Sequence, residues 1–274
     1  MTDVFVIGGG PAGISAALTA VGRGKSAMIV STSPEDSLLW KAEKINNYAG
    51  LPDMTGAELL GTMLRHAESA GIPLTRGRVL SVLPMGGSFG VSVGSDFFEC
   101  RAVIVAAGLS RARPFPGEAE HLGAGVSYCA TCDGMLYRGK RVAVISLSSD
   151  GPEEAEYLRS IGCEVEFFDT KRAKKYEILG EGAVEALMAD GQRVEVSGVF
   201  IFRSGVAPDS LVSGLAVSGS SIVVDGAMAT SVPGVFACGD CVGAPYQIAK
   251  AVGEGNVAAL SAAKYLENLA KEEK

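Results

Sequence analysis

Two cysteine pairs carry the residue types best suited to chemistry in this sequence. Cys129 and Cys132 are separated by two residues and followed by Asp133, and Cys238 and Cys241 have the same spacing. A Cys-x-x-Cys pair is typical of disulfide exchange or of zinc binding. Tetrahedral zinc takes four ligands, and the two histidines of the chain have no paired ligand spacing. We therefore interpret Cys129 and Cys132 as a redox dithiol and predict no metal site.

The surroundings of the two pairs differ. Cys129 and Cys132, followed by an aspartate, can begin a helical turn, whose dipole lowers the pKa of a thiol and favours the reactive thiolate. Cys238 instead ends a predicted buried strand, where thiols are usually inert, although the spacing alone leaves a second redox pair open. Cys100 and Cys163 have no partner in the sequence, and we interpret them as buried small apolar residues.

A glycine-rich turn near the N-terminus is the second candidate site. An apolar strand from Asp3 to Ile7 runs into Gly-Gly-Gly-Pro-Ala-Gly, a helix continues to Val21, and a second strand spans Ser26 to Val30. This βαβ context turns the glycine pattern into a dinucleotide-binding fingerprint, because glycines let a pyrophosphate approach the backbone at a helix N-terminus. The residues predicted to bind it are Gly8, Gly10, Pro11, Ala12 and Gly13.

The end of the second strand departs from this fingerprint. Ser31 stands where an Asp or Glu usually accepts the ribose hydroxyls. A serine can still form a hydrogen bond, and Glu35 lies close to it in the sequence. Both residues therefore remain candidates for the ribose contact.

The rest of the chain predicts a second nucleotide-binding fold. A buried strand from Ala102 to Gly108 precedes the proline-rich segment Arg113–Gly117, which indicates a domain boundary. A strand (141–145), a helix (153–161) and a strand (164–168) then repeat the βαβ order. Further strands are predicted at 199–202, 222–225 and from 234, and a final amphipathic helix at about 255–269. The predicted fold class is α/β with two Rossmann-like domains.

Composition limits the classes of function. The chain has 274 residues, 47% of them hydrophobic, a formal net charge of −7 and a pI near 5.0. This length suits two α/β domains, and the acidic balance argues against nucleic-acid binding. The N-terminus has no cationic segment followed by a long apolar run, and no stretch of about 18 apolar residues occurs. We expect a cytoplasmic protein with no membrane association, in which six cysteines serve redox chemistry or packing.

The motifs together resemble those of the low-molecular-weight thioredoxin reductases. The glycine turn, the hexapeptide Cys129-Ala-Thr-Cys-Asp-Gly134 and Gly239-Asp240 occur in that family's order and approximate spacing, and the hexapeptide is nearly diagnostic. The resemblance covers the whole chain. It implies a discontinuous FAD domain, residues 1–112 and 235–274, a redox-dithiol domain resembling a shortened NADPH domain, residues 113–234, and assembly as a homodimer.

The resemblance also assigns roles to residues. Cys132 is expected to face the flavin, Cys129 to attack the disulfide of thioredoxin, and Asp133 to exchange a proton with a departing thiolate. Asp240, at the end of a strand after a glycine, can accept a hydrogen bond from a ribityl hydroxyl, with a helix-capping role as the alternative. The residues that match positions holding the flavin, ribityl chain or phosphates are Asn47, Gly239, Asp240, Gln247 and Ile248.

The second βαβ unit departs from this family where NADPH would bind. Ser146 and Ser148 stand where two turn glycines belong, and serine resists both the close backbone approach and positive φ values. Asp169 lies where a His-Arg-Arg run would bind the ribose 2′-phosphate, and its charge repels phosphate. We therefore expect no NADPH pocket.

The resemblance is consequently closest to the ferredoxin-dependent flavin thioredoxin reductases, which lack nicotinamide motifs. A flavin can collect single electrons from ferredoxin and deliver a pair to a disulfide. The basic cluster Lys171-Arg172-Ala-Lys174-Lys175 could dock an acidic ferredoxin, but a solvated surface is the favoured interpretation. Three alternatives stay open: a divergent NAD(P)H site, another donor such as a second flavin, and a flavin redox sensor without turnover.

Overall fold

The structure, a computed structural model, describes residues 1–108, 114–203 and 211–272. The chain forms two compact units, one of Met1–Arg111 with Gly205–Lys274 and one of Ala112–Ser204. Each has a parallel or mixed sheet with helices packed on it, so the predicted α/β class with two Rossmann-like units is confirmed. Within the described residues, no helix is long and apolar enough to cross a membrane.

The elements have the following bounds. In the first part of the chain they are β1 (Thr2–Ile7), α1 (Pro11–Gly22), β2 (Ala27–Ser31), α2 (Gly56–Ser69), β3 (Leu74–Arg76), β4 (Val79–Pro84), β5 (Phe89–Val93) and β6 (Asp96–Val105). The second unit contains β7 (Val126–Ser127), α3 (Ala130–Asp133), β8 (Arg141–Leu147), α4 (Gly151–Ser160), β9 (Glu164–Phe168), β10 (Tyr176–Leu179), β11 (Ala186–Ala189), β12 (Gln192–Glu195) and β13 (Gly198–Arg203). After it come β14 (Val217–Ser218), β15 (Ser221–Ile222), β16 (Val235–Ala237) and α5 (Ile248–Glu272).

The sheet of the first unit brings three strand ends to one edge. Its order is β3-β2-β1-β6-β5-β4, with β16 also paired to β6. β1 runs parallel to β2 and β6, and β16 runs parallel to β6. The carboxyl ends of β1, β2 and β16 therefore lie at the same edge, which is where open α/β sheets bind ligands. The turns that follow Ile7, Ser31 and Ala237 are thus neighbours.

Helices α1 and α5 pack closely on one face of this sheet. Small side chains dominate their contact, including Ala16 and Ala17 on α1 and Ala258 and Ala259 on α5, all completely buried. A side chain at Gly255 would overlap the backbone of α1, so the glycine is required by the close approach. This packing fixes the N-terminus of α1 relative to the end of β16.

The second unit is a four-stranded parallel sheet, β7-β13-β8-β9, with a separate three-stranded antiparallel sheet, β10-β11-β12. Alternate residues of β8 face opposite sides: Val142 and Val144 pack with α4, whereas Ala143 and Ile145 pack with the antiparallel sheet. α3 contacts α4 on the first of these sides. The dithiol segment is therefore supported by a buried sheet and a helix.

A buried ion pair joins the two ends of the second unit. The Arg203 guanidinium, at the end of β13, donates a hydrogen bond of 2.8 Å to the Glu118 carboxylate, which is 1% exposed. The same carboxylate accepts a hydrogen bond of 2.8 Å from the backbone N–H of Phe115 and another of 2.8 Å from the Tyr128 hydroxyl. Its oxygens are thus well satisfied despite complete burial.

The chain returns to the first unit earlier than the sequence predicts. The expected boundary was residue 235, but the first unit resumes at residue 205. Leu211 and Val212 lie in that unit's core with Val82 and Phe89. The signal was missed because this segment is held by scattered apolar side chains and by the two-residue strands β14 and β15, rather than by a periodic element.

Two element predictions also need correction. The predicted strand at 222–225 is reduced to β15, which ends at Ile222. The last helix begins at Ile248 rather than near Gly255. Gly253 and Gly255 interrupt the apolar pattern of its first turns, and the glycine at 255 is where α5 approaches α1, so the tertiary contact outweighs the low helix propensity of glycine.

Candidate active site

A disulfide joins Cys129 and Cys132 across the first turn of α3, with their Cα atoms 5.3 Å apart. Cys129 occupies the N-cap position, and its sulfur accepts a hydrogen bond of 3.1 Å from the Cys132 N–H. A thiolate at Cys129 would receive the same hydrogen bond, which favours the charged form. The arrangement can therefore support reversible disulfide exchange.

The two sulfur-bearing residues differ in exposure. Cys129 is 7% exposed, whereas Cys132 is exposed. The resemblance assigned the attack on an external disulfide to Cys129, so that residue must become accessible when the disulfide opens. This division of roles stays a prediction.

The carboxylate of Asp133 is held by a buried serine. The Ser127 hydroxyl, at the end of β7, donates a hydrogen bond of 2.7 Å to Asp133 Oδ2 and accepts one of 3.1 Å from the Cys129 N–H. Asp133 is half-buried beside the disulfide. The structure thus brings all three predicted catalytic residues into one short segment.

The glycines of the β1–α1 turn have different tasks. Gly8 has φ +114°, and a side chain on Gly8 would overlap Ala106 O, while one on Gly13 would overlap Gly8 O. Gly10, the N-cap of α1, has φ −83°, and nothing lies within 4 Å of where its Cβ would be. Gly8 and Gly13 are therefore required by the protein's own backbone, whereas Gly10 borders open space.

The open space beside Gly10 is suited to an anion. Pro11 and Ala12 begin α1, no acidic residue lies in its first turn, and the free N–H groups there have no partners within the helix. Unpaired N–H groups and a partial positive charge are what a pyrophosphate requires. The residues present fit the phosphates of a dinucleotide.

A clamp from α5 holds the turn after β16. The Glu254 carboxylate accepts a hydrogen bond of 2.9 Å from the Gly239 N–H, and Lys250 Nζ donates to the carbonyl oxygens of Gly239, at 3.0 Å, and Gly243, at 2.6 Å. Lys250 and Glu254 also form an ion pair of 3.1 Å. We call these two residues the α5 clamp. It fixes the backbone on both sides of Asp240.

Asp240 is a half-buried carboxylate that this clamp presents to the edge of the sheet. Burial raises its pKa, Lys250 opposes that shift and Glu254 adds to it. Its side chain caps no helix among the described residues, and no protein hydrogen bond to it occurs there. Such a carboxylate fits a ligand that carries hydroxyl groups, so the helix-capping alternative is not supported.

The remaining predicted cofactor residues lie around this edge. Asn47 Nδ2 donates a hydrogen bond of 2.9 Å to Gln247 Oε1, which joins two residues 200 positions apart, and Ile248 begins α5 next to them. Ser31 ends β2, with its side chain 3.0 Å from where a Cβ on Gly9 would be. Glu35 accepts a hydrogen bond from Ser33, which lowers its pKa. The ribose contact stays open between Ser31 and Glu35.

The β8–α4 turn is filled by its own side chains. The Ser146 side chain occupies the space where a Cβ on Gly151 would be, and Ser148 hydrogen-bonds Asp150. The first turn of α4 carries Glu153 and Glu154, and Asp150 stands at its N-cap. Three acidic residues at this helix N-terminus oppose the binding of a phosphate by like charge.

In the segment after β9, the charged side chains of Asp169 and Arg172 form hydrogen bonds and ion pairs within the protein. Asp169 accepts backbone hydrogen bonds of 2.9 Å from Lys171 and from Arg172, and these hydrogen bonds lower its pKa. The Arg172 side chain pairs with Glu166 at 2.8 Å and lies over the Phe168 ring, 4.3 Å from its centroid. One member of the predicted basic cluster is thus occupied, and its lysines are exposed.

The second Cys-x-x-Cys pair is buried and reduced. Cys238 and Cys241 are 0% and 3% exposed, and no disulfide joins them. Burial raises the pKa of Cys238 far above its ordinary value and that of Cys241 to about 11. The Cys241 thiol donates to Cys238 O. Cys100 and Cys163 are also buried free thiols, as expected.

Three residues of the site were not found from the sequence. Ser127 and the α5 clamp make their contacts through the fold, and no motif marks them. Ser127 ends a strand two positions before a cysteine. This is a weak signal, since the hydroxyl of such a serine often accepts a hydrogen bond from a nearby backbone N–H. For Lys250 and Glu254, the i,i+4 spacing predicts an ion pair but not its contacts with the turn after β16.

Comparisons with known proteins cover nearly all of the chain. The pyridine nucleotide-disulphide oxidoreductase family matches residues 2–174 and 168–255. The thioredoxin reductase of Aquifex aeolicus (strain VF5) is 34% identical, over 96% of this chain and 93% of that protein. A ferredoxin-flavin thioredoxin reductase from Clostridium acetobutylicum has a TM-score of 0.92 at 38% identity, over 98% of both chains. A thioredoxin reductase from Gloeobacter violaceus has a TM-score of 0.85 at 31% identity, over 97% of this chain and 95% of that one.

Proposed function

The chain belongs to the pyridine nucleotide-disulphide oxidoreductase family and is a homologue of the thioredoxin reductases; on that premise, we propose that it reduces the disulfide of thioredoxin with electrons taken from ferredoxin. The observation that carries this proposal is the disulfide between Cys129 and Cys132, with Asp133 beside it. Similarity to a reductase named for both ferredoxin and flavin supports the choice of donor.

FAD is the proposed cofactor of the first unit. Gly10, Ala12 and the N-terminus of α1 would hold its phosphates, and Asp240, with Asn47 and Gln247, would hold the ribityl chain and flavin. Bound FAD supplies a group that takes up electrons from the donor and passes a pair to the disulfide. The protein's part is to satisfy the phosphates with backbone N–H groups and to accept hydroxyl hydrogen bonds at Asp240.

The dithiol carries the exchange with thioredoxin. The thiolate of Cys129 attacks one sulfur of the substrate disulfide, forming a mixed disulfide and breaking the substrate S–S bond. The departing thiolate takes a proton from Asp133. The Asp133 carboxylate then takes the proton of Cys132, whose sulfur closes the Cys129–Cys132 disulfide and releases the second substrate sulfur. Two electrons pass to the substrate, and Asp133 carries the proton between thiols.

The second unit gives the reason for preferring ferredoxin to NADPH. Ser146 and Ser148 stand in place of two turn glycines, and Asp150 and Glu153 place negative charge at the N-terminus of α4. A nicotinamide dinucleotide would have to bring phosphates to that position. Electron transfer from a docked protein needs no such pocket.

The test is anaerobic reduction of the oxidised, FAD-loaded protein, followed by the loss of flavin absorbance. We expect chemically reduced ferredoxin to bleach the flavin at least about 100-fold faster than millimolar NADPH or NADH, since a pocket lost to side chains and like charge forfeits several kcal/mol of binding. Salt is expected to slow the reaction with ferredoxin if charge steers it.

Two further measurements complete this test. Cys132→Ser should still be bleached by ferredoxin but should no longer reduce thioredoxin, because the disulfide cannot close. Rapid, saturable bleaching by NADPH would overturn the ferredoxin proposal and favour a divergent NAD(P)H site. Full thioredoxin reduction by the Cys132→Ser variant would remove the dithiol from the mechanism.

A further inference from the structure

The buried hydroxyl of Ser127 links both ends of the dithiol segment. Ser127 is 4% exposed and ends β7, which is paired in parallel with β13. Its oxygen receives the Cys129 N–H at 3.1 Å and lies 2.7 Å from Asp133 Oδ2 and 3.2 Å from Cys129 O. No part of the proposed exchange uses this hydroxyl.

The direction of these hydrogen bonds follows from the number of protons. Ser127 has one hydroxyl proton, and the Cys129 N–H already uses an oxygen lone pair. Of the two possible acceptors, Asp133 Oδ2 at 2.7 Å is closer than Cys129 O at 3.2 Å, so the proton goes to Asp133. One oxygen of Asp133 is thereby fixed by the rigid end of a buried strand, and Oδ1 is left for proton exchange.

We propose that Ser127 is a positioning residue for the dithiol: its hydroxyl holds the Asp133 carboxyl in the orientation that protonates a departing thiolate. This inference rests on the proposed disulfide reductase function. In the step concerned, the attacking thiolate forms one S–S bond, the substrate S–S bond breaks, and the leaving sulfur takes the proton of Asp133. Ser127 keeps its own proton throughout.

Two disulfide substrates, one aliphatic and one aromatic, can distinguish the proposed positioning role of Ser127 from a purely structural role. An aliphatic disulfide releases a basic thiolate that needs a proton, whereas an aromatic disulfide such as 5,5′-dithiobis(2-nitrobenzoate) releases a thiolate that is stable without one. The FAD-loaded protein is reduced with a phosphine, freed of reductant without oxygen, and mixed with each disulfide. The measured rates are the release of the first aromatic thiolate and the loss of protein thiols with bis(2-hydroxyethyl) disulfide.

We expect Ser127→Ala to slow the aliphatic reaction about 10-fold and the aromatic reaction less than about 2-fold, a fraction of the 100-fold or more that general acid catalysis supplies. Ser127→Thr, which keeps a hydroxyl, should recover most of the rate. In an Asp133→Asn background, Ser127→Ala should cost nothing further, because both changes remove the same proton transfer. Ser146→Ala, another buried serine on the same sheet, should react like the unaltered protein with both disulfides.

Two failures can be told apart. If Ser127→Ala slows both disulfides equally, or adds its full effect to that of Asp133→Asn, the hydroxyl only supports the local structure and the inference is overturned. If Asp133→Asn reacts like the unaltered protein, the acid role within the proposed function fails, and the role of Ser127 falls with it. Thermal unfolding of each variant checks that the compared proteins are folded.

Discussion

The β1–α1 turn and the β8–α4 turn have the same secondary structure and opposite surroundings. Both join a buried parallel strand to a helix that begins with a proline in its first turn. Around the first turn, Gly10 borders open space and the helix start has no acidic residue. In the second, Ser146 packs against Gly151 as Gly8 packs against Gly13 in the first, Ser148 stands in the place of Gly10, and Glu153 and Glu154 stand in the first helical turn.

The difference lies in what stands at the two helix N-termini, within the same strand-turn-helix arrangement. Every α-helix begins with N–H groups that have no partner within the helix. α1 leaves its N-terminus available to an anion from outside, whereas α4 places the protein's own carboxylates near it. In α4 these carboxylates interact favourably with the helix dipole.

The largest expected effect comes from Gly10→Val. Its backbone angles, φ −83° and ψ −177°, are open to any residue, and nothing lies within 4 Å of the added Cβ. The apoprotein should unfold within about 0.5 kcal/mol of the unaltered apoprotein. FAD should bind at least about 100-fold more weakly, because displaced phosphates lose charge-assisted hydrogen bonds worth about 1.5–3 kcal/mol each. Titration of the apoprotein with FAD measures this.

Substitutions at two other glycines serve as controls for the effect of Gly10→Val on FAD binding. Gly22→Val, at the exposed end of α1 with no atom near the new side chain, should leave FAD binding unchanged. Gly151→Ala, in the second turn, should lower stability by about 1–3 kcal/mol through overlap with Ser146, with no effect on FAD. Full FAD occupancy in Gly10→Val would show that the first turn does not hold the phosphates.

A smaller effect is expected from Lys250→Met, because the α5 clamp holds the turn after β16 beside the first site. The change removes hydrogen bonds to Gly239 O and Gly243 O and leaves Glu254 without its ion-pair partner. FAD should dissociate about 10-fold faster, since the loss of such contacts costs on the order of 1–2 kcal/mol. Flavin release into solution, followed by its fluorescence, gives the rate.

Lys264 provides the control for this effect. It lies exposed on the same helix, so Lys264→Met changes the charge of the protein equally without touching the clamp. Equal acceleration of flavin release in both variants would mean that net charge, and not the hold on the turn after β16, accounts for the result.

The smallest effect concerns Glu153→Gln in the second turn. If acidic residues near the N-terminus of α4 interact favourably with its dipole, neutralising an exposed one should lower stability by about 0.5 kcal/mol at low salt. High salt should remove most of this difference. Urea unfolding at two salt concentrations measures it, and a stabilising effect would contradict the proposed part that these carboxylates play.

Local patterns in the sequence were sufficient for much of this fold. The strand from Asp3 and the glycine turn predict β1 and α1, and the hydrophobic run from Arg141 predicts β8, because strand and helix periods are visible over a few residues. The Cys129–Cys132 pair was equally accessible, since spacing alone brings two thiols within one turn. Such features need no knowledge of distant contacts.

Features that depend on contacts between distant parts of the sequence were either not predicted or were predicted only from the family resemblance. The return of the chain at residue 205 was missed because Leu211 and Val212 are buried by strands more than a hundred residues earlier. The hydrogen bond between Asn47 and Gln247 spans 200 positions, and neither residue forms a motif with its neighbours. The hydrogen bond from Lys250 to Gly239 O likewise depends on the packing of α5, and no local sequence pattern specifies that packing.

The buried pair of Glu118 and Arg203 bears on how this architecture could arise. Glu118 lies near the start of the second unit and Arg203 at its end, and their side chains are in contact at 2.8 Å. A unit whose two ends lie side by side can be inserted into a host loop, or removed from it, while the host fold stays continuous. The ion pair therefore holds together the two ends of the dithiol unit, which is the geometry that an inserted unit requires.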